Sequence, residues 1–254
     1  MKTKIILTTI FMLMNIKIYS SDVNESPYMH IEEYYDLSVL QSSADLGDIV
    51  DQYKLSFLYF EGNGTDKDIE KSIYWLNKSA NGGYDEAQRA LGLIYLSDHI
   101  YKKNIDKSIH YLTLSANQGN LESKYALGMI YSNIDSLHYD IDLSVNFLRS
   151  ASENGHIESV YSLGVILYEN YNEKESIELF NISANSGHLN SQINLSYLKF
   201  NKEDPDYLSA YFWASIAKSS GSEKNNDIIK ISSSLLSEYD LKKADIAIEI
   251  WLSM

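Results

Sequence analysis

Apolar and polar positions along this chain recur with the spacing of helices. In YDEAQRALGLIYL, residues 84–96, Leu91 follows Ala87 by four residues, and Ile94 and Tyr95 follow Leu91 by three and four, which places them on one helical face. The next apolar stretch, NIDKSIHYLTLSANQG over 104–119, repeats the spacing with Ile109, Leu112 and Ala116. Asn104 and Asp106 at its start suit a helix N-terminus, and Gly119 at its end suits the left-handed residue that closes a helix. The same signals flank an earlier segment, with Thr65 and Asp68 before it and Gly83 after it. Each glycine therefore punctuates a pair of helices.

The punctuation is periodic. Gly47, Gly83, Gly119 and Gly155 stand 36 residues apart, and Gly187 and Gly221 follow at intervals of 32 and 34. Eight residues before the last five of these glycines stand Trp75, Tyr111, Phe147, Leu179 and Trp213. Eight residues after the first five stand Leu55, Leu91, Leu127, Leu163 and Leu195, each followed by a small residue: Ser56, Gly92, Gly128, Gly164 and Ser196. A fixed period of this length marks stacked supersecondary units. Small residues let helix backbones approach closely. A single helix pair cannot bury its own apolar face, so the pairs must stack. The pattern predicts five full repeats near 44–79, 80–115, 116–151, 152–183 and 184–217, after an N-terminal half-repeat. Two capping helices follow, near 227–237 and 239–252.

The run Gly83, Ala87, Gln88, Leu91, Gly92, Tyr95, then Lys107, Ser108, Tyr111, Ser115, Ala116 and Gly119 resembles the Sel-one-like repeat, a relative of the tetratricopeptide repeat. The resemblance extends over about Ile31 to Trp251, with a G-x-G turn at Gly62 and Gly64 and closing helices at the end. Serine often replaces the family's paired alanines, and the fourth repeat, YENYNEKES, has a shortened turn. The resemblance implies an all-α fold, a right-handed α-solenoid of stacked antiparallel helix pairs, and a role in holding other proteins. It implies no substrate.

The N-terminus changes the picture of where the protein works. MKTKIILTTIFMLMNIKIYSS opens with Lys2 and Lys4, continues with an apolar run from Ile5 to Ile16 and ends in Ser20 and Ser21. That is the layout of a secretory signal peptide, and the apolar run is shorter than the roughly 20 residues of a spanning helix. An uncleaved anchor is the competing reading. The predicted organisation is a signal peptide over 1–20, a linker over 21–29 and the solenoid over 30–254. Export points to the periplasm, or to the outside of the cell. The formal charge is −14, and loss of residues 1–20 leaves 18 basic against 35 acidic residues, a net −17. Such a polyanion repels nucleic acid and anionic lipid, so the expected partner is a protein or peptide; the charge reads first as a device for solubility, and a basic partner is the sharper alternative. No nucleic acid and no stable membrane insertion are expected, and the chain is read as a monomer. With no cysteine, disulfide staples, thiolate chemistry and zinc–thiolate sites are excluded.

Signals for chemistry are weak. Gly62-Asn63-Gly64 lacks the third glycine and the preceding strand of a dinucleotide fingerprint, and no P-loop occurs. His156 and His188 each follow a repeat glycine, while His30, His99, His110 and His138 are scattered. No H-E-x-x-H motif is present, so no metal and no cofactor are expected. Ser215 and Lys218, like Ser196 and Lys199, have the S-x-x-K spacing of penicillin-recognising enzymes, and some relatives of this repeat family have been linked to β-lactam binding. The companion S-D-N and K-T-G motifs are missing. Glu32, Glu33, Asp66, Asp68, Asp140 and Asp142 lie near helix starts, where they complement the helix dipole.

A second apolar stripe runs along the first helices, six, ten and thirteen residues after each glycine. It reads Tyr53, Phe57 and Phe60; Arg89, Leu93 and Leu96; Tyr125, Met129 and Ser132; Tyr161, Val165 and Tyr168; Ile193, Tyr197 and Phe200. A helix apolar on two sides is buried on both or offers one to a partner. In tetratricopeptide-like solenoids the first helices line the concave face. Tyr53, Phe57, Arg89, Tyr125, Tyr161, Tyr168 and Tyr197 are thus the candidate partner-binding residues, while the repeat glycines with Trp75 and Trp213 are structural. The expected function is a non-enzymatic interaction scaffold, with no catalytic residue. Neutralisation of a secreted toxin and a cell-wall or β-lactam enzyme using Ser215 are the alternatives. Asn63, Asn77 and Asn181 also match glycosylation acceptors, which leaves eukaryotic secretion open.

Overall fold

The computed structural model describes residues 37–97, 100, 102–169 and 172–254. The proposed signal peptide and linker, and His30, Glu32, Glu33 and His99, lie outside these residues. Every regular element among the described residues is helical: α1 (Leu37–Asp45), α2 (Ile49–Glu61), α3 (Ile69–Asn81), α4 (Asp85–Leu96), α5 (Ile105–Asn117), α6 (Leu121–Ser132), α7 (Ile141–Ser152), α8 (Ile157–Glu169), α9 (Glu173–Asn185), α10 (Leu189–Phe200), α11 (Tyr207–Ser219), α12 (Asn226–Leu235) and α13 (Glu238–Leu252). Two compact units divide within α7, the first ending at Phe147 and the second beginning at Leu148.

Gly83 shows what the period is for. It takes φ +97°, its N–H donates to Ala80 O at 3.0 Å, and the Tyr84 N–H donates to Ser79 O at 3.2 Å. These bonds close α3 through a left-handed residue, a conformation costing an L side chain about 1–2 kcal/mol. The other five repeat glycines have φ between 86° and 103° and the same pair of bonds. The next helix then begins at once, on a cap such as Asp48, whose side chain accepts from Val50 N and Asp51 N.

In the first unit the helices pair antiparallel. The start of α2 meets the end of α3, where Ser79 Oγ donates to Ile49 O. The end of α2 meets the start of α3, where Asp68 N donates to Tyr59 O at 2.8 Å. The equivalent bonds Asn104 N to Tyr95 O and Asp140 N to Tyr131 O close the next two repeats. Asp68, Asn104 and Asp140 then cap the second helices by accepting from the N–H three residues on. Between the paired helices, Tyr95 stacks on Tyr111 at 6.1 Å and Tyr131 on Phe147 at 5.9 Å. Tyr95, Tyr111 and Phe147 are positions read from the sequence, and Tyr131 takes the place of Tyr95 in the next repeat.

The backbones touch at the small residue of the first helix. A Cβ on Gly92 would lie 2.5 Å from Leu112 Cγ. At the facing register position of that repeat Ser108 Oγ has no hydrogen-bond partner among the described residues, but in the next repeat the equivalent serine donates to the glycine carbonyl. Ser144 Oγ donates to Gly128 O at 2.7 Å. In the second unit Ser176 Oγ donates to Gly164 O at 2.7 Å. At these two crossings a serine hydroxyl thus adds a donor to a buried glycine carbonyl. Glutamines seal the helix ends, with Gln52 donating to Ala44 O, Gln88 to Ala80 O and Gln192 to Ala184 O.

The second unit repeats this design with a shorter turn. Asn172 N donates to Leu167 O at 2.9 Å, so α9 begins almost as soon as α8 ends. Phe180, Leu163, Ile193 and Leu195 are fully buried. Ala210, Ala214 and Ile228 form a cluster under Tyr197 and Phe200. The last helix, α13, packs against α11.

Candidate protein-binding face

The second apolar stripe lies on α2, α4, α6, α8 and α10, and burial divides its members. Tyr53, Arg89 and Tyr161 are only 4%, 7% and 2% exposed. Tyr125 is half-buried. Of the five residues at the sixth register position, Ile193 at 1% exposed is internal too and only Tyr125 keeps surface, which corrects the reading of Tyr53, Arg89 and Tyr161 as surface anchors. The reason is the next turn. The Tyr84 ring stands edge-on to Tyr53 at 5.2 Å, and the His188 ring covers Tyr161 at 4.4 Å. The residue opening one repeat roofs the sixth position of the repeat before it.

Arg89 is internal for an electrostatic reason. Its Nε donates to Glu86 Oε2 at 2.9 Å. Glu86 Oε1 accepts from Asn120 Nδ2 at 3.0 Å, and Asn120 caps α6 through Ser123 N. The arginine thus ties α4 to the cap of the following repeat.

The tenth and thirteenth positions are mixed. Phe60 and Val165 are buried. Leu93 and Leu96 pack against the cluster around Leu112 and Ala126, and Phe57 packs beside Tyr53. In the first unit Phe57, Tyr125 and Met129 keep half-buried surface; in the second, Tyr168 and Tyr197 do. The Tyr197 hydroxyl donates to Lys224 O at 3.0 Å, which fixes the ring. Burial, with Asp227 nearby, pushes its phenol above the usual tyrosine value. Burial and Glu173 do the same for Tyr168. Both remain neutral.

The histidines have a role the sequence reading missed. His188 Nδ1 accepts from Ser191 N at 3.2 Å and caps α10. His156 Nδ1 accepts from Ser159 N at 3.1 Å at the start of α8. Position one after a repeat glycine is an N-cap, held elsewhere by Asp48 and Asn120, and this register was the signal that could have found it. Burial holds the His188 imidazole below the usual histidine value, against the pull of Glu158.

The enzyme motifs are absorbed into the scaffold or stand open. Ser196 is fully buried, donates to Ile193 O and accepts from Asn225, while Lys199 pairs with Asp206. Ser215 is half-buried and Lys218 exposed on α11. Glu169 is a half-buried carboxyl pushed upward by burial. Its Oε1 has no hydrogen-bond partner among the described residues. No cluster of three metal-ligating side chains occurs among the described residues, and no described helix is long and apolar enough to cross a membrane.

The Sel1 repeat pattern matches residues 50–84, 85–120, 121–156 and 189–222, the same register that the glycines, caps and crossings define. The chain belongs to the Sel1 repeat family. The unmatched interval holds α8 and α9, a helix pair with its own glycine–serine crossing, so the fold keeps a repeat there that departs in sequence. Among solved structures the chain is similar to a protective antigen of uropathogenic Escherichia coli strains that displays an SLR fold. Identity is 22% over 85% of this chain and 48% of that one, with a TM-score of 0.72. It is also similar to a Sel1 repeat protein from Oxalobacter formigenes, at 22% identity over 85% of this chain and 68% of that one, TM-score 0.68. This chain thus spans about half the length of the first. At this identity the likeness establishes the fold alone. An immunity protein from Pseudomonas aeruginosa matches at 17% identity over 72% of each chain, but its TM-score of 0.43 carries no functional argument. No curated protein matches the chain. A Sel1 repeat scaffold points towards protein–protein interaction.

Proposed function

We propose that this Sel1 repeat chain is an exported, non-enzymatic scaffold that holds a protein or peptide partner on the side of its first helices. One observation carries the reading: Phe57, Tyr125, Tyr168 and Tyr197 keep half-buried surface on the first helices, while Tyr53, Arg89 and Tyr161 of the same stripe are internal. Ordered aromatic edges on a rigid support are good interface anchors, because little side-chain freedom is lost on binding. The net charge of −17 after loss of residues 1–20 favours a basic partner, and a secreted toxin effector would be one such partner. Export rests on the basic, apolar and small-residue layout of residues 1–21.

Site-specific photo-crosslinking in the producing cell tests the face. Crosslinkers replacing Phe57, Tyr125, Tyr168 and Tyr197 should trap a partner, whereas crosslinkers at the exposed second-helix positions Tyr74 and Ile182 should not. Trapping from Tyr74 and Ile182 alone overturns the assignment. N-terminal sequencing of the exported protein should begin near Ser20 or Ser21, and a chain beginning at Met1 overturns cleavage.

A further inference from the structure

Three asparagines in this chain precede glycine: Asn63, Asn81 and Asn154. An Asn–Gly pair can react with itself, since the glycine nitrogen can reach the side-chain amide with no Cβ in the way. The fold separates the three pairs. Asn81 ends α3, and the Gly82 N–H is held by Lys78 O at 3.0 Å. At the third pair the Gly155 N–H is held by Ser152 O at 3.0 Å, while Asn154 Nδ2 donates to Ser150 O at 2.8 Å. In both, the nucleophile is engaged in closing a helix.

Asn63 and Gly64 differ in each respect. Both are exposed. Gly64 sits at φ +72° with open space where a Cβ would be. The Asn63 N–H donates to Leu58 O, but the Asn63 side-chain amide and the Gly64 N–H make no hydrogen bond among the described residues. Electrophile and nucleophile are therefore adjacent, unengaged and open to water.

We propose that Asn63 is a site of spontaneous covalent modification, deamidation through a cyclic imide, from which Asn81 and Asn154 are protected. The Gly64 nitrogen gives up its proton to water and attacks Asn63 Cγ. A C–N bond forms, the bond from Cγ to the side-chain nitrogen breaks, and ammonia leaves. Water then opens the imide at either carbonyl, giving aspartate or its β-linked isomer; the net reaction consumes one water and releases one ammonia. The product carries a new negative charge in the turn closed by the Asp68 N–H to Tyr59 O bond at 2.8 Å. The β-linked form also lengthens the main chain there by one methylene.

The test is peptide mass spectrometry of the purified full-length protein aged at mildly alkaline pH, folded and in concentrated urea. In the folded protein the amide-to-acid mass change and a β-linked isomer should accumulate at Asn63 about tenfold faster than at Asn81 or Asn154, because reaction at the latter needs local opening first. In urea the three rates should converge. Asn63→Gln should remove the fast component from the folded protein and leave the other two sites unchanged. Equal rates at all three sites in the folded protein, or an unmodified Asn63, overturns the proposal.

Discussion

Replacing Gly92 by alanine sets two ordinary effects against each other. In a helix interior, alanine is favoured over glycine by about 1 kcal/mol. Against that, the new Cβ would lie 2.5 Å from Leu112 Cγ, 2.7 Å from Leu112 Cδ2 and 3.2 Å from Leu112 N. Leu112 is fully buried, so its side chain has nowhere to swing, and the backbone nitrogen moves only if α5 shifts. Overpacking of this kind costs about 1–3 kcal/mol, and a contact as short as 2.5 Å belongs at the upper end of that range, so Gly92→Ala should destabilise by about 1–2 kcal/mol net. Gly164 offers the internal comparison. Its Cβ would meet the Phe180 ring at 3.0 and 3.1 Å and Leu179 Cβ at 3.4 Å, which a ring displacement of a few tenths of an ångström relieves. Gly164→Ala should therefore stay within about 0.5 kcal/mol of wild type, the usual range when opposing small terms cancel. Urea unfolding measures both, with the m-value checked for constancy. Adding Leu112→Ala should make Gly92→Ala milder by about 1 kcal/mol, a coupling expected of residues in contact. If Gly92→Ala is as mild as Gly164→Ala, or the double variant is additive, close approach at the crossing is not the reason for glycine there.

Four further outcomes are expected. Ser176→Ala should destabilise by about 1 kcal/mol in urea unfolding, since it removes the hydroxyl donor to the buried Gly164 carbonyl, which keeps its bond within α8. Stability should fall as pH drops from about 6.5, the usual histidine value, because His188 in the fold titrates lower; across that window the unfolded chain binds more protons and stability rises with pH. His188→Asn keeps a capping acceptor and should remove this part of the slope in denaturation at pH 5, 6 and 7; an unchanged slope refutes the assignment. Arg89→Met should cost about 1–2 kcal/mol by thermal unfolding, less than a fully buried pair, because Glu86 keeps Asn120 and some solvent. Phe57→Ala and Tyr197→Phe should weaken partner capture while leaving the far-ultraviolet circular dichroism spectrum unchanged.

The repeat register and the helix boundaries were legible in the sequence because their causes are local. A glycine such as Gly83 answers to its own φ angle, and a cap such as Asp68 or Asn104 to an N–H three residues away. These constraints act within one helical turn, so they leave a periodic trace. The serine–glycine carbonyl bonds and the histidine caps left fainter traces, since Ser176 and His188 are also common surface residues. Burial was not legible. Tyr53, Arg89 and Tyr161 share a register position and a sequence pattern with half-buried Tyr125, yet their exposure depends on what the following repeat lays over them. Tyr84 and His188 supply rings over Tyr53 and Tyr161, while the Glu86–Asn120 network holds Arg89. Sequence alone determined the period, the helix pairs and the glycine that ends each one. Only tertiary packing decided which aromatic edges stay outside, because burial is fixed by neighbours some 30 residues away.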